Sequence, residues 1–203
     1  MLLPDCSHAQ QKMIVHLNDG KQVEYNLTDV DHVELLAPST TQQQDAVPEV
    51  GGIVAEPVDL GLSVNWAAHN IGAFASTDDG TRLTADEADS KVALWGDAWR
   101  LPTDEEVQEL YDRCTWEWLM RDGICGRKIT GPSGNSIFIP ATGIAVDDNV
   151  VVRGSIGIYW IAGTPASSQD AANALAYYFD SANIYRMYYP KTNTFPIRAV
   201  KDK

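Results

Sequence analysis

Residues 99–116, WRLPTDEEVQELYDRCTW, set five carboxylates and a cysteine within eighteen positions. Whether this stretch is chemistry or architecture decides how the whole chain is read. Thr103 and Glu106 make a T-x-x-E capping box, in which side chain and backbone N–H groups satisfy one another at a helix start. Asp104, Glu105 and Glu106 fall in the first turn, where the helix dipole favours negative charge, and Pro102 stands just before it. Val107, Leu110, Tyr111 and Cys114 recur at i, i+3, i+4 and i+7, so the spacing predicts one apolar stripe facing a core. Gln108, Glu109, Asp112 and Arg113 fall on the opposite face, and Glu109 precedes Arg113 in the favourable i,i+4 order. Each carboxylate has a helical reason to be where it is, so none is assigned to catalysis.

Working outward, residues 57–203 read as one domain in which a few helices precede many short strands. A second T-x-x-E box, Thr84 and Glu87, predicts another short helix. A strand is expected around residues 60–66. After the 99–116 helix come RKIT, SIFIPA, GIYWIAG, NALAYYFD, NIYRMYYP and FPIRAV at hairpin spacing, which argues for twisted antiparallel sheet in an α+β domain rather than βαβ repeats. Residues 10–36 form a β-hairpin unit with Asn18, Asp19 and Gly20 at its turn and a third short strand after it. Residues 37–56 lack periodicity and read as a linker. Residues 1–9, MLLPDCSHA, read as the end of an export signal or a short leader, with Ser7 and Ala9 at the −3 and −1 positions before Gln10.

Composition narrows the function classes. The chain has 203 residues and a formal net charge of −13, so it repels nucleic acid and anionic lipid rather than recruiting them. No apolar run reaches the roughly 18 to 20 residues that cross a bilayer. Cys6, Cys114 and Cys125 lack paired C-x-x-C spacing, and the four histidines are scattered; no metal and no cofactor are expected. Cys114 and Cys125 either close a short loop, if the compartment is oxidising, or remain as two buried thiols.

Three groups of residues stand as candidates for chemistry. Asp78–Asp79 and Asp147–Asp148–Asn149 have calcium-loop composition, but solvated turns explain them better. Cys125 has Arg127 and Lys128 beside it, which would lower a thiol pKa; a structural role is the preferred reading, and a thiol-dependent enzyme the remote one. The aromatics carry more. Most of Trp66, Trp95, Trp99, Trp116, Trp118 and Trp160 are expected to fill the core, whereas Tyr185, Arg186, Tyr188 and Tyr189 put rings and a cation on both faces of one late strand. Tyr185, Arg186, Tyr188, Tyr189 and Trp160 are therefore the candidate ligand-binding residues.

Residues 57–200 also resemble a known family. VDLGLSVNWAAHNIGA, WGDAWRLPTDEEVQELYDRCTWEW, GPSGNSIFIPATG, GIYWIAGTP and FPIRAV, in this order, look like the Fibrobacter succinogenes major paralogous domain of secreted and surface proteins of Bacteroidetes. WRLPTDEEVQEL is similar to a segment of the formylglycine-generating sulfatase-modifying family. The resemblance implies a C-type lectin-like fold with about two helices, and export to the periplasm, cell surface or medium. His69 stands where the family often has a cysteine paired with the equivalent of Cys114, which leaves Cys125 as an alternative partner. No cysteine follows Cys125 and no EPN, QPD or WND occurs, so neither formylglycine-generating chemistry nor calcium-dependent sugar binding is implied. The expectation is a non-enzymatic exported protein that binds a glycan or a surface protein, or an assembly component that uses the hairpin edge; the sequence leaves its oligomeric state open.

Overall fold

The computed structural model describes residues 12–16, 22–26, 53–146, 149–163 and 171–203. The chain divides into two compact units. The smaller contains the antiparallel pair β1 (Lys12–His16) and β2 (Gln22–Asn26), in which Met13 stands opposite Tyr25 and Val15 opposite Val23. The hairpin expected from alternation is therefore present; its turn, the third strand, the leader and residues 37–52 lie outside the described residues.

The larger unit is α+β, with two helices among its described residues and ladders that run antiparallel. A four-stranded sheet joins β3 (Pro57–Val58), β4 (Asn65–Ala67), β5 (Trp99–Arg100) and the C-terminal β14 (Val200–Lys201), in the order β3-β4-β14-β5. Helix α1 is Ala85–Ala93 and helix α2 is Asp104–Arg113. A meander of β6 (Thr115–Arg121), β7 (Ile124–Thr130) and β8 (Ser136–Pro140) follows α2. After the short pair β9 (Ile144–Val146) and β10 (Asn149–Val151) comes a second meander, β11 (Gly157–Trp160), β12 (Asn173–Phe179) and β13 (Ile184–Pro190).

This second meander divides the interior. A strand presents alternate residues to opposite faces, and here both faces are covered. Tyr159, Ile161, Leu175, Tyr177 and Phe179 join one core with Val107 and Leu110 of α2 and with Ile129, Ile137 and Ile139 of the first meander. Ile158, Trp160 and Ala176 join the other, with Ala88 and Val92 of α1, Trp95, Trp99, Phe195 and Ile197. Each large side chain so buried contributes about 1.5–3 kcal/mol relative to exposure, and the small Ala174 and Ala176 leave room on the α1 side. One helix thus covers each face of the sheet, and β13 is left at its edge.

Both capping boxes form. The Thr103 N–H donates to Glu106 Oε2 at 2.8 Å and the Glu106 N–H to Thr103 Oγ1 at 3.3 Å. At α1 the N–H and hydroxyl of Thr84 donate to Glu87 Oε2 at 2.9 and 2.7 Å. The Glu109–Arg113 ion pair is also made, at 2.6 Å.

Four expectations are corrected. The strand expected around residues 60–66 shortens to Asn65–Ala67, because Gly61 turns the chain at φ 79° with its N–H held by Asp59 Oδ1 at 2.8 Å. FPIRAV is a buried irregular segment until Val200–Lys201; Pro196 has no N–H to give a ladder. Tyr111 leaves the apolar stripe and is 51% exposed, since Val107 and Leu110 already fill the space beneath α2. Finally, Cys114 and Cys125 are not bonded to each other: Cys114 has a free thiol while Cys125 is disulfide-bonded. The hairpin explains why. Thr115, next to Cys114, pairs with Thr130, whereas Cys125 pairs with Met120 at the far end. Five residues of strand, at about 3.3 Å each, separate the two positions, far beyond the reach of about 7 Å between bonded Cα atoms. An element not anticipated is β6, TWEWLMR, which follows α2 directly.

Candidate functional site

Helix α2 packs on one face of the β11–β12–β13 sheet, and together with the edge strand β13 and the β12 residue Tyr177 it encloses a cleft of about 350 Å³. The buried Val107 and Tyr177 and the half-buried Ile184 supply its apolar lining, and Gln108, Tyr111, Tyr185 and Arg186 complete it. Sequence reasoning found Tyr185 and Arg186 but not Gln108 or Tyr111. The signal for Tyr111 was present: a stripe of Val107, Leu110 and Cys114 is already complete without it, which leaves an aromatic at its margin.

Each wall residue is held. Tyr185 borders the cleft, but its ring lies on the α1 face of the sheet, stacked on Tyr178 with centroids 4.5 Å apart and planes 14° from parallel, and the Tyr178 hydroxyl donates to Asp180 Oδ2 at 3.2 Å. Burial, seconded by the Asp180 charge, holds the Tyr178 phenol protonated far above its ordinary range. Asp180 also accepts the N–H groups of Ala182 and Asn183, each at 2.7 Å, closing the β12–β13 turn; burial works against its ionised form, yet these hydrogen bonds hold its carboxyl below the usual range. Arg186 donates from Nη1 to Asp104 Oδ2 at 2.6 Å, and this bond raises the guanidinium pKa. Asp104, whose sequence position is explained by the helix dipole, therefore also ties the first turn of α2 to β13. Tyr111 leans on Trp116, centroids 6.5 Å apart, and the Trp116 indole is fixed by donating to the Leu110 carbonyl at 3.1 Å.

The other predicted ligand residues do not join the cleft. Tyr188 is exposed but lies outside the lining. Tyr189 is half-buried and meets Phe195 edge-on at 5.1 Å. Trp160 is a correction: it is 1% exposed, packs on Phe195 at 4.7 Å and donates its indole N–H to the Leu83 carbonyl at 2.7 Å. It borders a second cleft of about 260 Å³ beside α1, but with its ring buried it offers no face to a ligand.

The remaining chemical candidates resolve into structure. Cys125 is 1% exposed and disulfide-bonded, so it presents no thiolate. Asp78 accepts the N–H groups of Phe74 and Ala75 at 3.0 and 3.1 Å, and Asp79 pairs with Arg153 at 3.0 Å; Asp147 and Asp148 lie outside the described residues. The GPSGN turn docks on the first motif, with the Ser133 hydroxyl and Asn135 amide both donating to the Asp59 carbonyl at 2.8 Å. Among the described residues no group of three or more His, Cys, Asp or Glu side chains is placed to hold a metal ion. What the α2–β13 cleft can do is bind: it joins a half-exposed aromatic ring, an apolar floor, an amide and a cation, with no nucleophile–base pair in its lining. No family model, curated protein or solved structure matches the chain.

Proposed function

We propose that this chain is a non-enzymatic exported protein whose larger unit is a C-type lectin-like domain, and that its α2–β13 cleft holds a saccharide segment of a glycan. The carrying observation is that the 51% exposed Tyr111 ring, the Gln108 amide and the Arg186 cation surround one concavity floored by Val107, Tyr177 and Ile184. Sugar rings offer an apolar face for stacking and hydroxyls for a few polar groups, which is the chemistry of this lining. The ordered motifs of residues 57–200 support membership of the major paralogous family, and the disulfide at Cys125 supports an oxidising compartment. A glycan array with the full-length protein tests the reading. The expected result is a defined set of bound oligosaccharides, with affinity reduced about tenfold by Tyr111→Ala, the order of one lost aromatic contact. A blank array at high protein concentration, or binding indifferent to this substitution, overturns it; capture of a surface protein through the same cleft would replace the saccharide with a protein ligand.

A second reading rests on β1 and β2, which among the described residues pair only with each other. A two-stranded hairpin alone is marginal in water, and its edges suit strand addition by a partner chain in an assembly. Deleting residues 10–36 would then abolish assembly and leave the larger unit folded. Unchanged assembly after the deletion sinks it.

A further inference from the structure

We propose that the α2–β13 cleft recognises an acetamido group, so that the saccharide it holds is an N-acetylated sugar; this rests on the glycan reading of the same cleft and narrows it. The cleft floor carries one polar atom, the hydroxyl of Tyr177, beside the apolar side chains of Val107 and Ile184. Tyr177 is 1% exposed, and its hydroxyl has no hydrogen-bond partner among the described residues. The ring is fixed against Tyr159 and Phe179, with centroids 5.4 and 6.1 Å away. Its neighbour shows the ordinary arrangement of a buried phenol: the Tyr159 hydroxyl donates to the Pro140 carbonyl at 2.8 Å and accepts from Asn70 Nδ2 at 3.2 Å. A buried hydroxyl without a partner gives up its hydration and regains nothing. Such exceptions are few in native structures, and one set in the floor of a cleft points to a group supplied from outside. Burial holds the Tyr177 phenol protonated far above its ordinary range, which makes it a donor lacking an acceptor.

On the α2 side the need is reversed, and acceptors stand without donors. Gln108 spends its Nε2 on Asp112 at 2.9 Å, leaving Oε1 open. Asp104 takes Arg186 on Oδ2, while its Oδ1 is buried without a partner. An acetamido group carries the three complementary features in one small unit. Its carbonyl accepts from Tyr177, its N–H donates to Gln108 Oε1, and its methyl lies on Val107 and Ile184. A plain hydroxyl brings no methyl, and a free ammonium brings neither methyl nor acceptor. A carboxylate would face Asp104, with Arg186 already engaged by it, in a chain of net charge −13. The cleft, about 350 Å³, falls at the small end of ligand sites, which suits one substituted ring.

Calorimetric titration of the full-length protein with trisaccharides of N-acetylglucosamine, glucosamine and glucose, all in one linkage, tests the proposal. The acetylated form is expected to bind at least about tenfold more tightly than the glucose form, the order of one buried hydrogen bond. Tyr177→Phe removes the hydroxyl and keeps the ring. It should weaken the acetylated ligand about tenfold, to near the glucose form, and leave the glucose form unchanged. The same variant should melt at an equal temperature or about 2–4 °C higher, because the hydroxyl it loses has no partner in the free protein; a hydroxyl with a structural role would lower the melting temperature instead. No binding of the acetylated form, equal affinity for the acetylated and glucose forms, or tightest binding of glucosamine, which charge alone would give, each overturns it. So does an acetamido preference that survives Tyr177→Phe, or a melting temperature lowered by that substitution. Saccharides that bind without the preference, and are still weakened by Tyr111→Ala, would remove this inference and leave the cleft reading intact; a blank glycan array removes both.

Discussion

At Arg198 a guanidinium is wholly buried with carbonyl and amide oxygens as its partners. Nε donates to Asn70 Oδ1 at 2.8 Å, Nη1 to the Ala67 and Ala68 carbonyls at 3.0 and 2.9 Å, and Nη2 to the Phe138 carbonyl at 3.0 Å. Burial lowers its pKa, but the planar fork of donors meets acceptors at the end of β4, just after it and on β8 at once. Lysine has the charge without the fork. Arg198→Lys is therefore expected to cost about 3 kcal/mol in urea unfolding, through buried acceptors left unpaired; a loss under 1 kcal/mol would contradict this role. The cysteines give a second residue-level test. Cys114 is half-buried, and burial raises its thiol pKa, so it should alkylate slowly in the native protein, whereas Cys125 should label only after reduction. Rapid native labelling of Cys125 would contradict its disulfide. Neither pairing was legible in the sequence, because spacing along the chain says nothing of which end of a hairpin a cysteine occupies.

Helix α2 is the element the sequence describes best, because its caps and first-turn charges are local. Arg100 then adds a contact that no local rule contains: its Nη1 and Nη2 donate to Glu106 at 2.8 and 2.6 Å, and its Nη2 also donates to Asp202 at 2.7 Å, tying α2 to β5 and the C-terminal end. Burial disfavours the Glu106 carboxylate, but the Arg100 and Thr103 hydrogen bonds outweigh it and hold its pKa below the usual range. A carboxyl depressed in the folded state stabilises above its unfolded value, near 4.3, and loses that contribution as pH falls through the folded one. Glu106→Gln should therefore lower stability at pH 7 and flatten its decline below about pH 4.3. An unchanged acid limb in thermal melts would contradict the assignment. Thr103→Ala should cost about 1 kcal/mol at neutral pH, measured by the same melts. Tyr111 lies at the margin of the apolar period, and the packing of Val107 and Leu110 leaves its ring 51% exposed.

Across the whole larger unit, order depends on the β11–β12–β13 sheet being covered on both faces. The alternation of NALAYYFD was legible as strand; that both of its faces are buried was not, because Ala174 and Ala176 carry too little apolar surface to announce a second core. FPIRAV read as strand for the complementary reason, since its apolar run describes burial and not ladder geometry. The cleft exists because α2 covers the centre of this sheet and leaves its β13 margin open, so site and fold are one arrangement. The most direct measurement is a backbone amide NMR titration of the full-length protein with the oligosaccharides selected on the array. The expected result is saturable shifts confined to residues 107–111 and 184–186, abolished by Tyr111→Ala without loss of fold. Shifts clustered anywhere else, or none at all, would contradict a saccharide site between α2 and β13.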